Sequence, residues 1–231
     1  FVTDRPANIA LAGPANKQGR IAADNIAGGD SEYRGSIGAS VIKVFDMTVG
    51  TAGLTEKQAS ALGVDFDKVY TYSASHATYY PGARNMSVKT LFDPVTGTVL
   101  GAQIVGYEGV DKRIDVVSTA IRAGMTVEDL AELELSYAPP YSSAKDPVNY
   151  AGFVACNLMS GLIEQYHWNE LDDMVSDGEL FVDVRTPKEF AEGHVEGASN
   201  IPVDELRERI GEIPEGGTVN LICHSGLRSY I

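Results

Sequence analysis

The sequence predicts two domains of different class: an α+β domain, a sheet with helices on one side, followed by an α/β domain with a parallel sheet. Three observations carry this reading. Between residues 35 and 135, short alternating strands come in runs joined by tight turns, with helical segments among and after them. After residue 165, strands and helices alternate along the chain, the order of a parallel sheet. Between these regions lies Tyr137-Ala-Pro-Pro-Tyr-Ser-Ser-Ala-Lys-Asp-Pro-Val-Asn149. Its prolines forbid a long regular element, so two tyrosines, a lysine and an aspartate sit on a stiff loop.

The 231 residues, 44% of them hydrophobic, suffice for real cores. A net charge of −14, from 18 basic and 32 acidic side chains, argues against a nucleic-acid partner. No apolar run approaches a membrane span, so no membrane partner and a soluble protein are expected. Cys156 and Cys223 stand in unlike contexts, which argues against a disulfide scaffold and for a reducing, cytoplasmic setting. The chain opens on Phe1 without a signal pattern. It stops at Ile231, where a helix after Cys223 should just be starting, so it reads as a piece of a longer protein.

In chain order, Phe1 to Ala10 reads as a loop leading into a short apolar strand. Leu11 to Ile26 then places glycine and proline ahead of an Ala-rich helix, whose open N–H groups suit an anion or a carbonyl oxygen. Strands are expected over Ala39–Phe45, Lys68–Tyr72 and Ser87–Phe92. Asp93-Pro-Val-Thr-Gly97 turns the chain into a further strand, Thr98–Val105. Thr55 caps a helix through Leu62, with Glu56 in its first turn. Asp111–Ala123 carries Ile114, Val117 and Ile121 at helical spacing, and Thr126–Leu133 is a short capped helix. A linker helix is expected over 151–170. Beyond it come a strand over Glu179–Arg185, a helix over Lys188–Ala191 with Pro187 at its first position, a helix over Asp204–Ile210 and a strand over Thr218–Ile222.

Three places carry candidate chemistry. Ser75-His-Ala-Thr-Tyr-Tyr-Pro-Gly82 is either an aromatic strand end stiffened by Pro81 or a site presenting His76 and a phenol. Cys156 lies in an apolar helical stretch without a cationic neighbour and reads as a structural thiol. Cys223 leaves a strand into the glycine-containing loop His224, Ser225, Gly226, Leu227 and Arg228. There, backbone N–H groups and a guanidinium favour the thiolate. A strand-end core cysteine is the plain alternative. A phosphatase loop is disfavoured, because Arg228 is the fifth residue after Cys223 where such loops need a sixth.

The motif Tyr-Ala-Pro-Pro-Tyr-Ser, then Lys-Asp-Pro-Val-Asn, with Gly109-Val-Asp-Lys-Arg-Ile-Asp-Val-Val117 upstream, resembles the end of the dimerisation domain of coenzyme A-disulfide reductases. Related NADH oxidases and polysulfide reductases, also flavoproteins of the pyridine nucleotide-disulfide oxidoreductase family, share it. Asp-Val-Arg-x-Pro-x-Glu-Phe, Gly-His-x-x-Gly-Ala-x-Asn-Ile-Pro and Cys-x-x-Gly-x-Arg-Ser resemble a rhodanese domain, which narrows the likeness to the branch with a fused sulfurtransferase.

The resemblance implies four segments: the tail of an FAD-binding domain (1–30), a dimerisation domain (31–150) that forms a homodimer, the linker helix (151–170), and a rhodanese-like domain truncated at its C-terminus (171–231). It implies FAD, coenzyme A and NADH as cofactors of the intact protein. Leu11 and Ala12 then lie by the flavin, Asn16, His76 and Lys145 by coenzyme A, and Tyr80 and Tyr137 at the reacting face. Tyr79 competes with Tyr80 for that register. Phenols suit proton donation to a leaving thiolate, and the ammonium suits phosphates. Cys223 becomes the sulfur carrier, with Asp183 and Arg185 supporting its loop and His194 a helix-end hydrogen bonder. No G-x-G-x-x-G follows a strand, so neither dinucleotide fold is complete here. The implied activity is NADH-dependent reduction of coenzyme A disulfide, persulfide or polysulfide. A stand-alone sulfurtransferase and a non-catalytic dimerisation piece remain the alternatives.

Overall fold

In the computed structural model, which describes residues 1–231, the chain divides into two units, Phe1–Ser160 and Gly161–Ile231. The first begins with helix α1 (Ala12–Ile26), none of whose residues is buried. The short apolar strand expected after Ala10 does not form. A strand needs a ladder partner, and here the helix starts directly after Leu11.

The centre of this unit is a five-stranded antiparallel sheet. Its strands are β1 (Ser40–Val44), β2 (Met47–Gly53), β3 (Asp67–Ala74), β4 (Asn85–Phe92) and β5 (Val99–Gly106), in the spatial order β1-β2-β5-β4-β3. The β4–β5 turn forms where expected: the Asp93 carboxylate accepts from the N–H groups of Val95 and Thr96 at 2.9 and 2.7 Å. Strand β2 has no counterpart in the sequence reading. Its Gly50 lies under a helix, where an added Cβ would stand 2.4 Å from Ile114, so closeness of packing took the place of an apolar signal.

Helices α3 (Val110–Ala123), α4 (Val127–Glu132) and α5 (Pro147–Met159) bury Val110, Ile114, Val117, Leu130, Val148 and Ala151 against Val88, Phe92, Ala102 and Ile104 of the sheet. Helix α2 (Glu56–Leu62) packs Ala59 against Leu91 and Leu100 in a separate cluster. Leu91 and Phe92 are sequence neighbours facing different clusters, as strand alternation requires. Capping boxes start α2 at Thr55–Gln58, α4 at Thr126–Asp129 and α5 at Asp146–Asn149. The helix expected over 151–170 instead spans Pro147–Met159. Asp146 caps it, Pro147 takes its first position, and the chain leaves it at Ser160 before Gly161 with φ +70°.

In the second unit a parallel sheet of order β7-β6-β8 combines β6 (Leu180–Asp183), β7 (Ser199–Asn200) and β8 (Val219–Ile222). Short helices α6 (Leu171–Ser176), α7 (Pro187–Glu192) and α8 (Leu227–Tyr230) accompany it. Val182, Val184 and Ile201 form its buried centre, with Leu206, Ile213 and Leu221 packed around them. The helix expected over Asp204–Ile210 is instead a series of turns closed by a single 3₁₀ turn, Ile210–Glu212. Bonds of i to i+3 type, such as Glu205 N to Pro202 O at 2.8 Å and Glu208 N to Glu205 O at 3.0 Å, displace most α-helical ones. So short a segment, stopped by Gly211 and Pro214, cannot offset the cost of nucleating a helix. No helix in either unit is long and apolar enough to cross a membrane.

Candidate functional site

Strand β8 delivers Cys223 to a loop that wraps its own sulfur. Gly226 adopts φ +90°, a conformation open to glycine, and its N–H donates to Cys223 Sγ at 3.1 Å. The Ser229 hydroxyl approaches the sulfur at 3.6 Å and also donates to Gly226 O. Burial pushes the Cys223 thiol up, but the Ser229 hydroxyl and the N–H groups of Ser225, Ser229 and Gly226 outweigh it. The thiol is held below its ordinary value.

Arg228 is only partly exposed, and its guanidinium acts on the Cys223 sulfur. It forks onto Glu189 of α7 at 2.8 and 2.7 Å, and Glu189 also caps that helix through Thr186. The pairing holds the Glu189 carboxyl well below the usual carboxylate range and raises Arg228. Thus the loop arginine closes the cysteine loop against α7. Asp183, fully buried at the end of β6, forks with Arg185, whose NH2 also donates to Gly193 O at 2.7 Å. Asn200 donates to the carbonyls of both residues. His194 Nδ1 donates to Phe190 O at 2.9 Å, and its ring stacks on Phe190. An open cleft of about 670 Å³ runs from Cys223 past His224, His194, Glu196, Asp172 and Arg185.

Tyr166 escaped the sequence reading. Its hydroxyl donates to Leu221 O at 3.1 Å, two residues before Cys223. Burial, then the negative charges of Cys223 and Asp183, push its phenol up to about 12. No spacing rule marks a contact across 55 residues.

In the first unit, the two expected loops meet. Ala77 N donates to Ser142 O at 3.0 Å, and the hydroxyls of Tyr79 and Tyr137 hydrogen-bond at 2.8 Å. Tyr80 instead sets its ring edge-on to His76, centroids 5.9 Å apart. His76 is buried: Nε2 donates to Pro81 O at 3.3 Å, and Nδ1 accepts from the Ser75 hydroxyl at 3.1 Å. Lys145 is exposed, 5.9 Å above the Phe153 ring. Leu11 precedes α1 without a side-chain cap, Ala12 is exposed in its first turn, and Asn16 donates back to Ala12 O. Cys156 is half-buried on α5, and burial raises its thiol, followed by the charge of Glu128.

The clamp beneath these loops was not foreseen. Arg113 is 1% exposed on α3, and its guanidinium donates to Asp146 at 3.1 and 2.8 Å, to Ser75 O at 2.9 Å, and to Gly109 O at 3.1 Å. Ser142 donates to the same carboxylate at 2.6 Å. An arginine beside the apolar positions Ile114 and Val117 was the available signal: a charge at the edge of a buried stripe needs a partner.

A helix-covered antiparallel sheet joined to a parallel sheet that ends in a sulfur-wrapping cysteine loop defines a two-domain class. Residues 39–147 match the pyridine nucleotide-disulphide oxidoreductase dimerisation domain, and residues 167–231 match the rhodanese-like domain. The chain therefore carries a dimerisation domain of the pyridine nucleotide-disulphide oxidoreductase family followed by a rhodanese-like domain. Among particular proteins, it is 39% identical over 153 residues to the coenzyme A disulfide reductase of Staphylococcus aureus, covering 66% of this chain and 34% of that protein. The crystal structure of reduced Bacillus anthracis CoADR-RHD superposes with a TM-score of 0.95 at 48% identity, over 100% of this chain and 42% of that one. A NAD-dependent persulfide reductase from A. fulgidus gives 0.87 at 41% identity, over 99% of this chain and 41% of that one.

Proposed function

We propose that this chain is the C-terminal part of an FAD- and NADH-dependent reductase of coenzyme A disulfide, persulfide or polysulfide, in which Cys223 carries sulfane sulfur. The observation that carries the reading is the Cys223 sulfur itself, held under the Gly226 N–H and the Ser229 hydroxyl with its thiol shifted toward thiolate. Such a thiolate attacks the outer sulfur of a persulfide R–S–SH. The new Cys223 S–S bond forms as the persulfide's own S–S bond breaks, and the departing RS⁻ takes the proton to leave as RSH. No electron is gained or lost, and the bound sulfur then shares the same donors.

The first unit supports the reductase half. FAD, when bound, supplies two-electron exchange between NADH and the sulfur substrate. The first-turn N–H groups of α1, capped by no side chain, suit a flavin carbonyl next to Leu11 and Ala12. Tyr137 with Tyr79 or Tyr80 offers a phenol to a leaving thiolate; the Tyr79–Tyr137 hydrogen bond favours Tyr79 in that role. Lys145 suits a coenzyme A phosphate. Asn16 lies on the same side in this reading, and His76, with both ring nitrogens engaged, serves by fixing the Tyr79–Tyr80 turn. Homodimerisation through residues 31–150 fits the apolar β1–β2 hairpin, where Val41, Ile42 and Phe45 are exposed, Phe45 at 95%.

The test is persulfide loading: incubation with an organic persulfide adds one sulfur atom to the wild type at Cys223 and none to Cys223→Ser. Loading elsewhere, or none in folded protein, refutes the carrier role.

A further inference from the structure

The surroundings of Cys223 are strongly anionic. Residues 161–231 hold fifteen carboxylates against five lysines and arginines. Both guanidinium groups near the sulfur are paired with carboxylates, Arg228 with Glu189 while it also acts on the Cys223 sulfur, and Arg185 with Asp183 and Gly193 O. Of the two imidazoles in the cleft, His194 is tied to Phe190. That leaves His224 beside Cys223, in a cleft also lined by Asp172 of α6 and Glu196, two carboxylates without an ion pair. An anionic donor entering here finds no guanidinium without a carboxylate partner and must pass two negative charges to reach the Cys223 sulfur.

We propose that this cleft selects sulfur donors by charge. Cys223 takes sulfane sulfur from organic persulfides whose transferred sulfur has no anionic neighbour, and discriminates against inorganic anions such as the thiosulfate dianion, with Asp172 and Glu196 as the specificity-determining residues. This rests on the reading of Cys223 as sulfur carrier. With thiosulfate, the same attack would form the Cys223 S–S bond and release sulfite, so the chemistry is available and only approach is opposed. Coenzyme A persulfide is admissible, because its phosphates lie at the far end of the pantetheine arm from the sulfur.

The experiment compares kcat/KM for persulfide formation on the full chain with two probes, the thiosulfate dianion and the persulfide of 2-mercaptoethanol, which carries at most one negative charge. The wild type prefers the persulfide by about a hundredfold at low ionic strength, a repulsion worth a few charge pairs in a water-like medium. Asp172→Asn with Glu196→Gln raises the thiosulfate-to-persulfide ratio about tenfold. At about 1 M salt, where the screening length is about 3 Å, wild type and variant converge. Equal use of both donors, or a ratio unmoved by the double variant at low salt while Cys223 still loads, overturns the charge filter and leaves the carrier role standing. Failure of both donors to load Cys223 in folded protein removes both.

Discussion

Replacing Asp146 with Ala probes the joint that holds the first unit's two loops together. In the folded chain this carboxylate accepts from Arg113 Nε and NH2, from the Ser142 hydroxyl and from Val148 N. Asp146 and Arg113 are both almost fully buried. The alanine leaves a guanidinium sealed in the interior with only carbonyl and hydroxyl acceptors, and it removes the α5 cap. Breaking a buried pair from one side costs about 3–5 kcal/mol. For a unit of this size that lowers Tm by about 10 °C. Asp146→Asn keeps the capping acceptor but not the charge, so it falls between wild type and alanine.

The pH dependence follows from the same bonds. Burial pushes the Asp146 carboxyl up, but the hydrogen bonds of Arg113 and Ser142, the Arg113 charge and the Val148 N–H prevail, and it lies below its ordinary value. A depressed folded value means the stabilisation is complete above the unfolded value of about 3.9 and is lost as pH falls through the folded one. The gap between wild type and Asp146→Asn is therefore constant near neutrality and shrinks below about pH 4. Thermal melts followed by tyrosine near-ultraviolet dichroism measure it. A loss under about 1 kcal/mol for Asp146→Ala would refute the clamp, since buried pairs broken from one side do not cost so little.

Three further outcomes concern named contacts. Ser229→Ala removes the largest thiolate-favouring bond, so the pH profile of Cys223 alkylation by iodoacetamide moves to higher pH; an unmoved profile contradicts that assignment. Gly226→Ala places a side chain at φ +90°, costs about 1–3 kcal/mol and slows persulfide formation, measured by denaturant melts and loading rate. Gly152→Ala sets a Cβ 2.5 Å from Ala131 N and 2.8 Å from Val127 O, backbone of α4 that cannot swing aside. It destabilises by about 1–3 kcal/mol, and a neutral result in urea would show that α4 and α5 separate freely.

What the sequence made legible divides along physical lines. Alternating strands with turn chemistry, such as β4–Asp93–β5, and helices with capping residues, such as Thr55 and Thr126, declare themselves locally. Strand β2 did not, because Gly50 is there for the approach of Ile114, a partner distant in the chain. The segment Asp204–Ile210 carries charged residues of helical propensity, but ahead of Gly211 and Pro214 it is too short to offset the cost of nucleating a helix. The Cys223 loop was legible as a motif, and Arg228 does act on the Cys223 sulfur, but its second partner was not legible: Glu189 is distant in sequence, and the Arg228 fork onto it adds a brace to the loop. The same reason hid Arg113–Asp146 and Tyr166–Leu221. The pairing of Tyr79 rather than Tyr80 with Tyr137 needed the turn at Pro81 and Gly82 to be seen in three dimensions.

The central claim is that Cys223 is a sulfur carrier whose own loop favours its thiolate. Intact-mass analysis of the full chain after brief exposure to the persulfide of 2-mercaptoethanol tests it most directly. The account predicts a gain of one sulfur atom that maps to Cys223, is absent in Cys223→Ser and is removed by a thiol reductant. Folded protein that gains no sulfur, or gains it equally at Cys156, contradicts the account.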